Sequence, residues 1–207
     1  MVETAYAAED FGIGTAGAGT GAMAAMQKGG LGSASLTLVD GANVGALVAV
    51  NALGSVTTPG DKHFFAAPFE IDHEFGGAGP DPATGMITPE PSRKEEAMML
   101  QATAGANTTI AIVATDAPLT KTQCHRLAVT AHDGMARAIV PAHTPLDGDL
   151  VFGVATGETT GVDATTFREI SAAAAICLSR AIARGVFEAT PAPGDIIPTY
   201  QELQNGS

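Results

Sequence analysis

The run Asn107-Thr108-Thr109-Ile110-Ala111-Ile112-Val113-Ala114-Thr115 constrains the fold of this chain most. Its apolar and β-branched residues predict a short strand near the middle of the sequence. A second such run, Leu150-Val151-Phe152-Gly153-Val154-Ala155, is entered through Asp147-Gly148-Asp149. Between the two, Thr120-Lys121-Thr122-Gln123 is a capping box, and Cys124, Leu127, Ala128, Ala131, Met135 and Ile139 follow at helical spacing. Strands alternating with longer helical blocks predict a layered α/β (α+β) arrangement with mixed or antiparallel pairing.

Other segments fit that frame. Leu36–Val39 and Val44–Leu53 predict two strands joined by the favoured turn pair Asp40-Gly41. Residues 12–35 are glycine-rich and irregular, and Ser55 to Pro91 reads as a long loop carrying Phe64, Phe65, Phe69 and Phe75. Ser92-Arg93-Lys94-Glu95 fits a capping box that opens a helix toward Thr103. Thr166-Phe167-Arg168-Glu169 is expected to cap an alanine-rich helix reaching about Ala189, with Ile170, Ala173, Ala174, Cys177 and Ala181 on a narrow apolar face. The Pro-rich tail from Pro191 is expected to be loose.

Composition narrows the partners. A chain of 207 residues predicts a single domain, 1–207, with a sizeable core, and its 25 glycines favour tightly packed small-residue layers. Ten basic residues against 22 acidic give a net charge of −12, which argues against a nucleic-acid partner. Cys124 and Cys177 lack metal-ligand spacing and read as buried thiols. No signal peptide opens the chain and no apolar run reaches membrane-spanning length, so a cytoplasmic protein with no membrane partner is expected.

The chemistry concentrates around Thr108. If the Asn107–Thr108 bond breaks, Thr108 becomes an N-terminus with a hydroxyl and a free α-amine on one residue, a self-contained nucleophile and base. An α-amine has a pKa of about 7.7–8.0, well below that of a lysine, so a usable neutral fraction is present near neutral pH. Asp147 and Asp149 lie one residue apart, so in extended chain they share a face. They read either as an Asp-Gly turn or as a pair that orients the Thr108 amine and hydroxyl. Asn51 reads as a strand-end turn former or as an amide donor to an oxyanion. Lys28 reads as a solvated loop lysine or as a charge holding groups near Thr108.

Other signals are weaker. Gly12-Ile13-Gly14-Thr15-Ala16-Gly17 matches a dinucleotide fingerprint in letters, with Asp40 downstream, but no buried strand precedes it. His125 and His132 share a helix face without a third ligand or a zinc motif, and read as surface or interface residues. Asn107-Thr108-Thr109 matches a glycosylation sequon that matters only in a secreted chain.

Gly17-Ala18-Gly19-Thr20-Gly21-Ala22, Lys28-Gly29-Gly30-Leu31-Gly32-Ser33-Ala34-Ser35, Val44 to Asn51 and Asn107-Thr108-Thr109 together carry a resemblance. In this order they resemble the P1 peptidases: DmpA-type L-aminopeptidase/D-esterases, β-peptidyl aminopeptidases and nylon-oligomer hydrolases. The likeness runs from about Gly12 to Phe187 and covers the later part of those longer precursors, so an N-terminally truncated member is expected. It implies part of a four-layer αββα sandwich of the N-terminal-nucleophile type. It also implies self-cleavage at Asn107–Thr108 into an α-chain-like part, 1–107, and a β-chain-like part, 108–207. By the same likeness Thr108 is the nucleophile, and Lys28, Asn51, Asp147 and Asp149 are its catalytic companions. The family's upstream tyrosine has no match in Tyr6 or Tyr200.

The expected activity is hydrolysis of small amides, peptides or nylon-type oligomers, with no metal or organic cofactor, by a homo-oligomer. The rival expectations are a non-catalytic truncated member acting only in assembly and, more remotely, a nucleotide-binding oxidoreductase.

Overall fold

The computed structural model describes residues 10–83, 90–101 and 107–206. Its frame is one sheet of four strands, β1 (Gly30–Thr37), β2 (Asn43–Val50), β3 (Ile110–Thr115) and β4 (Leu150–Ala155), adjacent in that order. The first two pairs are antiparallel and β3–β4 is parallel, so the pairing is mixed. Helices α1 (Arg93–Leu100), α2 (Lys121–Ala138), α3 (Ala164–Phe187) and α4 (Tyr200–Asn205), with two short 3-10 turns at Gly17–Gly19 and Ala67–Phe69, complete the described elements.

Burial alternates along the strands as a one-sided sheet requires. Val44, Ala46, Val48 and Val50 of β2 and Ala111 and Val113 of β3 are buried in the core with α2 and α3. Ile110, Ile112, Phe152 and Val154 stay exposed, and Ile112 pairs with Phe152 on the opposite face. Among the described residues nothing covers that face, so the sheet with α2 and α3 forms two of the layers of a sandwich. Helix α3 is the one described helix long and apolar enough to span a bilayer, but here it is a core helix.

Close packing explains where the pattern misled. Strand β1 begins at Gly30, well before the expected Leu36, because its glycines serve α3 rather than a loop. A Cβ on Gly32 would collide with the Ala181 carbonyl oxygen, and one on Gly30 with that of Gly185. Arg180 and Arg184 of α3 donate to the Ser35 and Ser33 carbonyls. The N-cap of α3 is Asp163, which accepts from the Thr165 and Thr166 N–H groups, so the helix starts before the expected Thr166 box. Helix α1 ends at Leu100 in the described chain, and its expected extension to Thr103 lies outside the described residues.

The tail is docked rather than loose. Thr199 and Glu202 form a capping box on α4. The Tyr200 ring packs 4.7 Å from Phe64 and 5.7 Å from Phe187, and its hydroxyl donates to the Lys62 carbonyl at 2.8 Å. Cys177 is buried and burial pushes its thiol up to about 11, whereas Cys124 is half-buried, not fully buried as expected.

Helix α2 crosses α3 at Gly134, where an added Cβ would meet the backbone of Ala175. Gly134→Ala is therefore expected to lower unfolding free energy by about 1–3 kcal/mol through overpacking, despite alanine's better helix propensity. A denaturant titration showing equal or greater stability would contradict this packing.

Candidate active site

The parallel register of β3 and β4 builds the site. Ile110 pairs with Leu150, and Asn107 bridges to Asp147 at the same offset. Thr108 therefore lies beside Gly148, and Thr109 beside Asp149. The wide sequence gap between Thr108 and the aspartates is closed by one α2 crossover.

The Asn107–Thr108 peptide is held from several sides. The Asn107 carbonyl oxygen accepts from the Gly148 N–H at 2.8 Å and from the Thr108 hydroxyl at 2.6 Å. The Thr108 N–H donates to the Asn51 carbonyl at 2.9 Å. A Cβ on Gly148 would lie 2.7 Å from Thr108 Oγ1, so only glycine leaves the hydroxyl its place. On either side of Thr108, Asn107 Oδ1 and Thr109 Oγ1 are buried with no hydrogen-bond partner among the described residues, a costly arrangement more typical of functional sites than of ordinary strands.

The two aspartates flank this peptide without bonding to Thr108 itself. Asp149 Oδ1 accepts from the Thr109 N–H at 2.8 Å. Asp147 Oδ1 accepts from the Leu53 N–H at 3.2 Å, and its Oδ2 from the Thr144 N–H and hydroxyl at 3.0 and 2.6 Å. Asp147 thus ties the 144–147 turn to the segment that follows Asn51.

Asn51 stands at the end of β2, and its side-chain oxygen accepts from the Met23 N–H at 3.1 Å and from Lys94 Nζ at 3.2 Å. Those donors assign Oδ1 as the acceptor end of the carboxamide. Lys28 is not the solvated loop lysine of the bland expectation. It is 2% exposed, and its ammonium meets Asp195 at 2.6 Å and the Thr190 carbonyl at 3.1 Å. No hydrogen bond joins it to Thr108 or to the other expected site residues; it pins the glycine-rich segment to the chain after α3.

Sequence reasoning missed Lys94, which entered only as part of the Ser92–Glu95 capping box. Its backbone docks on Ala25, and its fully buried Nζ donates to the carbonyls of Met23 and Ala52 as well as to Asn51. Burial pushes this ammonium down to about 8, with Asp147 and Glu95 pulling the other way. A lysine whose native pKa lies below its ordinary 10.5 binds fewer protons in the native state between those values. Native stability therefore rises as pH climbs from about 8 toward 10.5, and below 8 the burial cost is carried in full. Relative to Lys94→Met, the wild type is expected to gain up to about 3 kcal/mol across that window in paired denaturant titrations. A pH-independent difference would contradict the burial effect.

Next to the site, an apolar cavity of about 390 Å³ is lined by Leu53, Gly54, Phe65, Val140 and Pro141, with Glu90 and Glu95 also lining it. It touches the site through Leu53, the residue that holds Asp147.

A family model described as peptidase family S58 matches residues 1–196. The chain belongs to peptidase family S58. It is 41% identical to an uncharacterized aminopeptidase of Mycobacterium tuberculosis over 98% of this chain and 60% of that protein. An uncharacterized aminopeptidase of Mycobacterium leprae is 40% identical over 91% of the chain and 52% of its own length. This S58 chain thus spans about 60% or less of the curated relatives it matches. Among solved structures, the PH0078 protein from Pyrococcus horikoshii has a TM-score of 0.66 at 26% identity, covering 99% of this chain and 54% of that one. A Burkholderia sp. beta-aminopeptidase has a TM-score of 0.63 at 24% identity, covering 99% of this chain and 56% of that one. An Ochrobactrum anthropi L-aminopeptidase D-Ala-esterase/amidase, described as a variant of the Ntn hydrolase fold, gives 0.59 at 21%, covering 93% and 51%. At such identities the last two speak to the fold alone, which is the Ntn hydrolase fold variant described for the Ochrobactrum protein.

Proposed function

We propose that this S58 chain is a self-processing N-terminal-threonine amidohydrolase that acts as an aminopeptidase on small peptides or amides. The observation that carries the reading is the Asn107 carbonyl, held by the Gly148 N–H with the Thr108 hydroxyl against it. In self-cleavage the Thr108 oxygen bonds to the Asn107 carbonyl carbon, and the Gly148 N–H stabilises the developing oxyanion. The Asn107–Thr108 C–N bond then breaks, and the hydroxyl proton goes to the departing nitrogen. Water hydrolyses the resulting ester, leaving an Asn107 carboxylate and a Thr108 residue with a free amine. The chain would then comprise the parts 1–107 and 108–207.

In turnover the same hydroxyl attacks a substrate amide, its proton passing to the Thr108 amine and onward to the leaving amine. The Asn51 carbonyl, which accepts from the Thr108 N–H in the intact chain, holds that amine. The Asn51 carboxamide, oriented by Lys94, supplies a donor toward the substrate oxyanion. Asp147 and Asp149 favour the amine's charged form by their proximity, and Lys28 acts at a distance by fixing the glycine-rich segment. The apolar cavity suits an uncharged substrate side chain, including the methylene run of a nylon-type oligomer. Matured protein is expected to release p-nitroaniline from apolar aminoacyl p-nitroanilides, and N-acetylation of the substrate distinguishes an aminopeptidase from a general amidase. No release from any free-amine substrate by a self-cleaved sample would sink the aminopeptidase reading.

A second reading, a chain that assembles without catalysis, draws support from the exposed face of Ile110, Ile112, Phe152 and Val154. A homo-oligomer is part of both readings.

A further inference from the structure

A line of ring nitrogens runs from Asp149 toward the surface, and the chemistry above does not use it. The Asp149 side chain is 2% exposed. While its Oδ1 holds the Thr109 N–H, its Oδ2 accepts from the His143 N–H at 3.2 Å and lies 3.0 Å from His143 Nδ1. His143 Nε2 in turn lies 3.2 Å from His132 Nδ1, with the two rings edge to face at 4.8 Å.

The hydrogens on this line follow from donor and acceptor counting. A carboxylate only accepts, so His143 Nδ1 carries a hydrogen. When His143 is neutral, its Nε2 accepts from His132 Nδ1–H; when His143 is cationic, Nε2 donates to His132 Nδ1. In either state a single hydrogen bridges the rings, and two cations at this distance oppose each other. Asp149 faces the pair from the mouth of β4 and Asp133 from α2. Burial, and then His143, push the His132 imidazole below its usual range against those two carboxylates. His143 also has a φ of 55°, a region that side-chain-bearing residues visit sparingly, and both its backbone and its ring are tied to Asp149.

We propose that His143 and His132 are positioning residues of the Thr108 site: His143 clamps Asp149, and the proton carried by the pair sets the charge beside the Thr108 amine. The proposal rests on Thr108 being the nucleophile. With the pair cationic, the Asp149 charge is offset and the amine releases its proton more readily. With the pair neutral, the full carboxylate holds the amine as ammonium.

The test compares pH profiles of p-nitroanilide hydrolysis by matured wild type, His143→Asn and His143→Ala. Asparagine tolerates the left-handed backbone and retains a side-chain donor, but it does not titrate. His143→Asn is expected to keep its alkaline-plateau kcat within about threefold while the acid limb of kcat/KM moves up by roughly half to one pH unit. His143→Ala, which keeps the backbone N–H on Asp149 but loses the ring contact, is expected to lose about tenfold in kcat with KM nearly unchanged. An acid limb that stays at the wild-type pH in His143→Asn overturns the proposal, whatever happens to the alanine variant. An inactive wild type would instead count against the Thr108 reading itself, so the two failures are distinguishable.

Discussion

Thr108→Ala is expected to abolish both maturation and hydrolysis. Removing the hydroxyl leaves the Asn107 carbonyl on its Gly148 donor but with nothing to attack it. Loss of a nucleophile that acts as a unit with its base costs about 10⁴-fold or more, so the variant should remain one intact chain and show no turnover above background. Thr108→Ser is the informative control, since it keeps the hydroxyl and the α-amine and removes only a methyl group. It should still cleave, with the rate altered by no more than about tenfold. A Thr108→Ala protein that still releases a fragment beginning at residue 108 would show that an outside protease, not the chain, breaks the bond.

Gly148→Ala should have the second largest effect, and through a different route. The new Cβ would lie 2.7 Å from Thr108 Oγ1, inside contact distance, and must push the hydroxyl or the strand mouth aside. The Gly148 N–H that polarises the Asn107 carbonyl shifts with it. Misplacing one oxyanion donor costs about 10²–10³ in rate, so self-cleavage should slow by roughly that factor. Gly148 is exposed and its φ is not in the left-handed region, so stability should change little. This combination separates a chemical role from a folding role. Wild-type maturation kinetics in Gly148→Ala would mean that the observed approach of Gly148 to Thr108 is not the productive one.

The residues that could be read from sequence were those whose chemistry is local. Thr120 and Gln123 announce the start of α2, and the β-branched run at 110–115 announces β3. Thr108, Asp147 and Asp149 stood out through their side-chain chemistry and the family resemblance, whereas the parallel register that joins them has no trace in their wide spacing. What stayed hidden depends on tertiary burial. Lys94 beside Ser92 and Glu95 has the pattern of a solvated first turn, yet α1 docks against residues 23–26 and carries the ammonium inside. Gly30 and Gly32 look like loop residues until α3 is laid across them. Nothing in the local sequence signals His143, which matters only through Asp149 and His132. The acidic pair itself proved subtler than a shared face implies: Asp147 accepts from Leu53 and Thr144, and Asp149 from Thr109 and His143, rather than from Thr108.

The most direct measurement is the intact mass of the purified wild-type chain under denaturing conditions, followed over time at neutral pH. Self-activation predicts two species, one ending at Asn107 and one beginning with an unmodified Thr108 amine, accumulating by a process independent of protein concentration. A single species with the mass of all 207 residues, unchanged over days, would contradict the claim that Thr108 cleaves its own chain.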